Sequence, residues 1–174
     1  MDSAQFRRAL AFVFQSEGGY VDHPLDRGGA TNYGITQVVY SVYLARKKLP
    51  QQPVKFITRD EAEEIYFRDY WLAGKCDRMP EPVAVVHFDA CVNHGTDRAA
   101  RLLQSVAGVS ADGVIGPATM AAIRRGEPEI LAHNYITRRR RFYREIVDKI
   151  PSQAAFYKGW LNRMDALTKE IESA

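Results

Sequence analysis

The residue that most strongly suggests chemistry is Glu17, an acid at the end of an apolar helical stripe. The stripe has the spacing of one helix face and consists of Phe6, Leu10, Val13 and Phe14. Glu17 follows Phe6 by eleven positions, so it belongs to the same face. Apolar surroundings and the negative end of the helix dipole both disfavour a charged carboxylate and raise its pKa. The pattern predicts a carboxyl group that stays protonated and acts as a general acid.

The glycine-rich stretch after Glu17 adds a second carboxyl group, Asp26, and the hydroxyl of Thr31. Two carboxyl groups and a hydroxyl on a loop that can bend against a ligand suit hydrolysis of a glycosidic bond. One acid protonates the leaving oxygen, while the other group positions water or stabilises the oxocarbenium-like transition state. Asp22 is an alternative to Asp26, although the histidine and proline that follow it are more typical of a turn.

Helical periodicity runs through almost the whole chain, and no segment shows convincing strand alternation. The N-terminal part predicts a helix from about residue 3 to the glycines at 18 and 19, then a loop or short irregular hairpin up to Thr36. Further helices are predicted at 36–48, where the buried face should include Val38 and Val42, and at 58–74 and 82–94. The 58–74 helix opens with a capping box. The sequence therefore predicts an all-α protein.

The most apolar segment, residues 83–92, predicts a central helix surrounded by others. Asp89 and Asn93 lie one helical turn apart on it, beside His94, where they either line a ligand cleft or satisfy hydrogen bonds in the core. Four more helices are expected after Gly95, ending in two long amphipathic ones, and the last of these should turn Phe156, Trp160 and Met164 towards the core. Without a linker, the parts 1–95 and 96–174 should pack closely, and neither is expected to fold alone.

Composition excludes several classes of protein. A formal charge of +3 over 174 residues does not mark a nucleic-acid binder. No apolar run approaches the roughly 18 residues that a membrane-spanning helix requires, and neither a signal peptide nor a membrane anchor is visible. The two cysteines, Cys76 and Cys91, make no disulfide framework, which leaves either free thiols or one bridge. The four histidines lack the spacing of a zinc site, so no metal is predicted. The basic run at 138–141 is interpreted as a solvated helix face.

The segment from Glu17 to Thr36, EGGYVDHPLDRGGATNYGIT, resembles the signature of glycoside hydrolase family 108. The resemblance implies an N-acetylmuramidase with a lysozyme-like helical fold, in which Glu17 is the catalytic acid. The pattern is also similar to phage-type lysozymes, which place an Asp nine residues after the Glu and then a Thr. Asp26 fits that spacing, whereas Thr31 comes one residue early, so either Thr31 or Tyr33 takes the third role.

A second resemblance covers 93–123, where LLQ at 102–104 and ADGVIGPAT at 111–119 are similar to the repeat unit of peptidoglycan-binding modules. The same residues also suit a turn followed by a helix start. We therefore divide the chain into a muramidase lobe, 1–95, and a helical peptidoglycan-binding-like lobe, 96–174.

These resemblances imply a monomeric peptidoglycan hydrolase that needs no cofactor and binds neither nucleic acid nor membrane. It would be made in the cytoplasm and act in the periplasm or cell wall after release, in host lysis or in secretion. Tyr20, Tyr33, Asn93 and His94 are the predicted substrate contacts, beside catalytic Glu17, Asp26 and Thr31. The rivals are a lytic transglycosylase and a non-catalytic wall-binding or structural protein.

Overall fold

The protein is described here by a computed structural model that covers residues 3–16, 20 and 30–173. Its elements are α1 (Ala4–Ser16), β1 (Thr31–Asn32), β2 (Ile35–Thr36), α2 (Gln37–Lys47), α3 (Arg59–Ile65), α4 (Glu81–His94), α5 (Thr96–Ala107), α6 (Pro117–Arg125), α7 (Pro128–Lys149) and α8 (Ala154–Glu172). A π-helical segment, Tyr66–Leu72, continues α3, and 3₁₀ turns lie at Val54–Phe56, Cys76–Arg78 and Pro151–Gln153. The all-α prediction is confirmed. Of the helices in the described chain, none is both long and apolar enough to cross a membrane.

Local signals in the sequence set most helix boundaries correctly. Thr58 and Glu61 form the predicted capping box, in which each side chain accepts a hydrogen bond from the other residue's backbone N–H. Gly108 ends α5 in the left-handed conformation, and Pro117 begins α6. Phe156 was predicted to face the core, but it is exposed on the first turn of α8.

Helix α4 is the centre of the core. All residues from Val83 to Cys91 are buried, as the apolar run predicted. α1, α5 and α7 pack against this helix, so elements from both ends of the sequence cover it. On the α1 side, Phe88 meets Phe6 and Trp71 edge-on, with ring centroids 5.9 and 5.5 Å away. Edge-to-face aromatic pairs of this kind stabilise a core beyond the area they bury.

The predicted buried face of α2 was wrong. Val38 and Val42 are 71% and 59% exposed, and the helix buries Tyr40 and Tyr43 instead, together with Leu44. The two tyrosines bury their rings because each hydroxyl has a carboxylate partner on α3, Glu61 at 3.1 Å and Glu64 at 2.9 Å respectively. A ring with a satisfied hydroxyl removes more apolar surface from water than a valine does, so the aromatic face is the one that turns inward.

A buried ion-pair network joins α4 to the last two helices. Asp89 lies 2.7 Å from the Arg139 guanidinium on α7 and 2.8 Å from that of Arg163 on α8. Burial alone raises the pKa of Asp89, but the two arginines outweigh it and hold the pKa below its ordinary value. The 138–141 run was interpreted as wholly solvated, and this is wrong for Arg139, whose side chain is 0% exposed. Sequence position alone does not distinguish it from its neighbours.

We expect Asp89→Asn to lower the free energy of unfolding by about 3–5 kcal/mol, because the amide keeps the shape of the side chain but leaves Arg139 buried without a counter-charge. Urea unfolding followed by circular dichroism measures the change. The matched control is Asp165→Asn, which removes the 62% exposed partner of Arg140 and should cost about 1 kcal/mol or less. Equal effects of the two substitutions would contradict the importance given to the buried network.

Candidate active site

A two-residue hairpin lies at the end of the predicted catalytic segment. Thr31 pairs with Thr36 and Asn32 with Ile35, in antiparallel register. The turn residues Tyr33 and Gly34 both have positive φ, 50° and 73°, which is the geometry of the tight hairpin turns that match strand twist. Thr36 then caps α2, since its side chain accepts a hydrogen bond from the Val39 N–H. The hairpin is therefore rigidly continuous with α2.

Three contacts fix this hairpin to the rest of the lobe. The Tyr66 hydroxyl donates to the carbonyl oxygen of Tyr33 at 2.9 Å, and the Asn32 amide donates to the carbonyl oxygen of Lys55 at 3.2 Å. The Phe14 ring, in the last turn of α1, lies 5.8 Å from the Tyr33 ring and 5.7 Å from that of Tyr66. The hairpin, the π-helical segment and the C-terminal turn of α1 thus form one packed unit.

The predicted catalytic residues divide into two groups. Glu17 and Asp26, together with the alternative Asp22, lie outside the residues that the structure describes. Thr31 is described, half-buried on β1. The chain on either side of the carboxylate-bearing segment is therefore anchored at one place, with Phe14 before it and Tyr33 after it in ring contact.

An apolar groove of about 310 Å³ lies between α2, the π-helical segment and the junction of α4 with α5. It is lined by Val38, Val39, Val42, Asp69, Tyr70, Gly95 and Thr96. The valines on the outer face of α2 line its wall, which explains why two of them are exposed. Asp69 forms a bidentate ion pair with Arg46 at 2.8 Å, so the carboxylate is held in position. Such a groove, apolar with a few polar groups, is typical of a ligand site.

Two of the predicted substrate contacts occupy different environments near this groove. Asn93 is exposed, two residues before Gly95, and its amide donates to the Asp89 carbonyl oxygen at 2.7 Å. His94 faces α7 instead, with its ring 5.3 Å from those of Phe142 and Tyr143. Among the other predicted contacts, Tyr20 is 47% exposed, and Tyr33 forms the hairpin turn. The structure groups Tyr33 with Thr31 and leaves His94 apart.

The surroundings of His94 keep its imidazole neutral. Burial, followed by the positive charge of Arg139, lowers the pKa of His94 to about 3. Its Nε2 atom is buried and has no hydrogen-bond partner among the described residues. A neutral ring packed on aromatic side chains fits a structural role at the contact between α4 and α7.

The turn in the second lobe is organised by a buried glutamine. Gln104 donates to the Asp112 carboxylate at 2.7 Å and to the Thr119 hydroxyl at 3.1 Å, and it accepts from the Gly113 N–H at 2.9 Å. Gly113 has a φ of 84°, and a Cβ atom there would lie 2.2 Å from the Asp97 carboxylate. The ADGVIG residues that resemble a peptidoglycan-binding repeat therefore build a specific turn around Gln104.

Possible metal ligands lie away from the groove. Among the residues described, Cys76, His87 and Cys91 are the one group of three or more His, Cys, Asp or Glu side chains whose donor atoms converge. The sequence prediction of no metal relied on linear spacing and missed this grouping. The sequence did contain one indication of this cluster. His87 and Cys91 are four residues apart, which places both on one face of α4.

Comparisons to known proteins identify families for both parts of the chain. A family model described as Glycosyl hydrolase 108 matches residues 10–95, and one described as Predicted Peptidoglycan domain matches residues 98–165. These matches define a glycoside hydrolase that acts on peptidoglycan.

A solved structure, that of SagA from Brucella abortus, is similar over nearly the whole length. It is 35% identical, with a TM-score of 0.84, and the match covers 97% of this chain and 94% of the SagA chain. No curated protein matches the chain. The chain therefore belongs to glycosyl hydrolase family 108.

The depressed pKa of His94 gives a prediction for stability against pH. In the unfolded chain a histidine has a pKa of about 6.5, whereas folded His94 has a pKa of about 3. Between these pH values the unfolded state binds a proton and the folded state does not. The free energy of unfolding therefore falls as the pH drops from about 6.5 towards 3. Between about pH 7 and pH 5, wild-type protein should lose about 2 kcal/mol more unfolding free energy than His94→Phe does.

Urea unfolding at the two pH values measures the difference. The control is His133→Phe, at a histidine whose side chain is 43% exposed, and it should keep most of the wild-type pH dependence. If His94→Phe and wild type lost stability in parallel, His94 would not be the titrating group.

Proposed function

We propose that this peptidoglycan hydrolase is an N-acetylmuramidase, which cleaves the β-1,4 bond between N-acetylmuramic acid and N-acetylglucosamine. The observation that carries the proposal is the contact between Phe14 and Tyr33, with ring centroids 5.8 Å apart. It brings together the two flanks of the segment that contains Glu17 and Asp26. A catalytic loop anchored at both flanks loses less entropy when its side chains are positioned for reaction.

In the proposed mechanism, Glu17 protonates the glycosidic oxygen as it leaves. Asp26 stabilises the oxocarbenium-like transition state or positions the attacking water. Thr31, on β1, follows Asp26 by five residues and orients that water. The products are two glycan ends, one of them a reducing sugar, and no cofactor takes part.

The groove beside the hairpin supports the choice of a carbohydrate substrate. Pyranose rings have apolar faces, which stack on aromatic and aliphatic side chains, and Val38, Val42 and Tyr70 offer such surfaces. α2 follows directly from the hairpin, so this wall of the groove keeps a fixed position relative to Thr31. We place the glycan strand along it. Because the polymer lies outside the cytoplasmic membrane, the enzyme acts there after release.

The central prediction is that Glu17→Gln lowers turnover of purified peptidoglycan by at least about 10²-fold, because the amide cannot donate the proton. Binding to sacculi and the melting temperature should stay at wild-type values. The matched control is Glu127→Gln, at an exposed glutamate that makes no side-chain cap hydrogen bond. It should retain full activity.

Asp26→Asn should lower activity less than Glu17→Gln does. An active Asp26→Ala enzyme would assign the second role to Asp22 or Thr31.

The products of digestion separate the proposal from its rivals. Mass spectrometry of the muropeptides should show reducing N-acetylmuramic acid ends. Anhydro ends would identify a lytic transglycosylase, and reducing N-acetylglucosamine ends would overturn the bond specificity. Sacculus binding without any soluble product would indicate a non-catalytic wall-binding protein.

The groove makes a separate prediction. Val42→Arg should raise KM for soluble glycan strands by about 10-fold, with a smaller effect on kcat, since it places a hydrated charge on the proposed sugar-binding wall. The melting temperature should not change, because Val42 is already exposed. Ile130→Arg is the control, at a residue of α7 that is 61% exposed. Equal KM values for the two variants would exclude the groove as the glycan site.

A further inference from the structure

Three potential metal ligands converge in the core, in a place that the proposed hydrolysis does not use. Cys76 lies on the 3₁₀ turn that precedes α4, and His87 and Cys91 lie one turn apart on α4. All three side chains are fully buried. Their donor atoms, two thiol sulfurs and an imidazole nitrogen, lie within 4.8 Å of one another.

The hydrogen bonds around His87 determine which of its nitrogens faces the sulfurs. The Tyr135 hydroxyl donates its proton to the Ala99 carbonyl oxygen at 2.7 Å. Its oxygen, 3.0 Å from His87 Nδ1, therefore accepts a hydrogen bond from that nitrogen. Nε2 is left with a lone pair directed at Cys91 Sγ, 3.6 Å away. Metal-binding histidines are held in the same way, with the second nitrogen donating to a fixed acceptor.

The missing side chain of Gly74 makes room for the sulfurs. A Cβ atom at this position would lie 2.8 Å from Cys91 Sγ and 3.2 Å from Cys76 Sγ. Gly74 is outside the positive-φ region, so the backbone conformation does not require glycine here. The steric requirement comes from the Tyr70 carbonyl oxygen, 2.7 Å from such a Cβ atom, together with the two sulfurs, so both sulfurs lie close to the backbone at Gly74.

We propose that Cys76, Cys91 and His87 bind one thiophilic d¹⁰ metal ion, Cu(I) or Zn(II), through the two sulfurs and Nε2. Thiolate and imidazole together select ions of this class. Zinc bonds of about 2.3 Å to sulfur and about 2.0 Å to nitrogen at tetrahedral angles separate the two donors by about 3.5 Å, close to the 3.6 Å between Cys91 Sγ and His87 Nε2. The described chain adds no fourth His, Cys, Asp or Glu donor. Three donors complete the coordination shell of Cu(I), whereas the shell of Zn(II) needs a water molecule as the fourth ligand.

A disulfide between the two cysteines fits the surroundings less well. Oxidation would remove the Cys91 thiol proton, and the lone pair of His87 Nε2 would then lack a partner at a fully buried position. An unsatisfied buried acceptor costs about 1–3 kcal/mol. Metal binding instead satisfies Nε2, with release of the thiol protons to solvent.

The site would join elements across the whole fold. Its ligands come from the Cys76 turn and α4, and its outer hydrogen bonds reach α7 through Tyr135 and α5 through the Ala99 carbonyl. Because the three ligands are fully buried and none of them lines the groove, the bound ion would stabilise the folded state without contacting the glycan.

The test uses the full-length reduced protein, prepared without oxygen and stripped by a chelator. Titration with Co(II) as a zinc probe, with Zn(II), and with Cu(I) against a chromogenic chelator should each give one equivalent bound. Co(II) should show thiolate charge-transfer absorption in the near ultraviolet. The ion bound should raise the melting temperature by at least about 5 °C and protect both thiols from alkylation.

Two variants at the site and one control variant keep the test independent of gross misfolding. Tyr135→Phe retains all three ligands and removes only the hydroxyl that orients His87, so metal affinity should fall by about 10–100-fold. His87→Gln should abolish metal binding, while His133→Gln, at a partly exposed histidine, should bind the metal as wild type does.

Binding of Zn(II) alone or of Cu(I) alone identifies the ion. No binding by reduced wild-type protein, recovery of the two cysteines as a disulfide, or equal affinities for wild type and Tyr135→Phe would each overturn the proposal.

Discussion

The charge of Asp89 constrains the architecture of the whole chain. It is placed in the most deeply buried helix, where an unpaired carboxylate would be strongly destabilising. Its two arginine partners come from α7 and α8, the last helices of the sequence. The final third of the chain therefore has to pack on α4, whose other side carries α1 and the aromatic cluster around Phe88. The hydrolase part and the peptidoglycan-domain part share one core for this reason.

The same core gives the catalytic segment a fixed base. α1 is held against α4, and its last turn contacts the hairpin, which is in turn fixed by the hydroxyl of Tyr66. The proposed catalytic carboxylates, Glu17 and Asp26, thus belong to a stretch of sequence whose two flanks are in contact through Phe14 and Tyr33.

The structural features that the sequence predicted correctly depend on residues that are neighbours in the chain. The capping box at Thr58 and the proline start of α6 involve neighbouring residues, so their patterns need no knowledge of the fold. The face of α2 was wrong because Tyr40 and Tyr43 gain their partners from α3, which is distant in sequence. Arg139 was missed for the same reason, since only Asp89, fifty positions earlier, distinguishes it from the adjacent arginines.

The candidate site shows a similar division. Thr31 and Tyr33 follow from a motif and do lie together in the hairpin. The roles of Glu17 and Asp26 stay predictions. The convergence of Cys76 with the α4 ligands depends on how the chain turns before α4, because Pro80 and Pro82 interrupt any helical pattern between Cys76 and His87.

The π-helical segment after α3 has a consequence for how this family can change by insertion and deletion. Tyr66 and Trp71 are both fully buried although they are five residues apart. In an α-helix, positions five apart point about 140° away from each other, but the wider π turn, with its i to i+5 hydrogen bonds, brings them towards one side. Loss of one residue here would restore an α-helix and rotate everything that follows, including Gly74 and Cys76. A deletion in this segment should therefore disturb the core more than a substitution of one of its exposed side chains does.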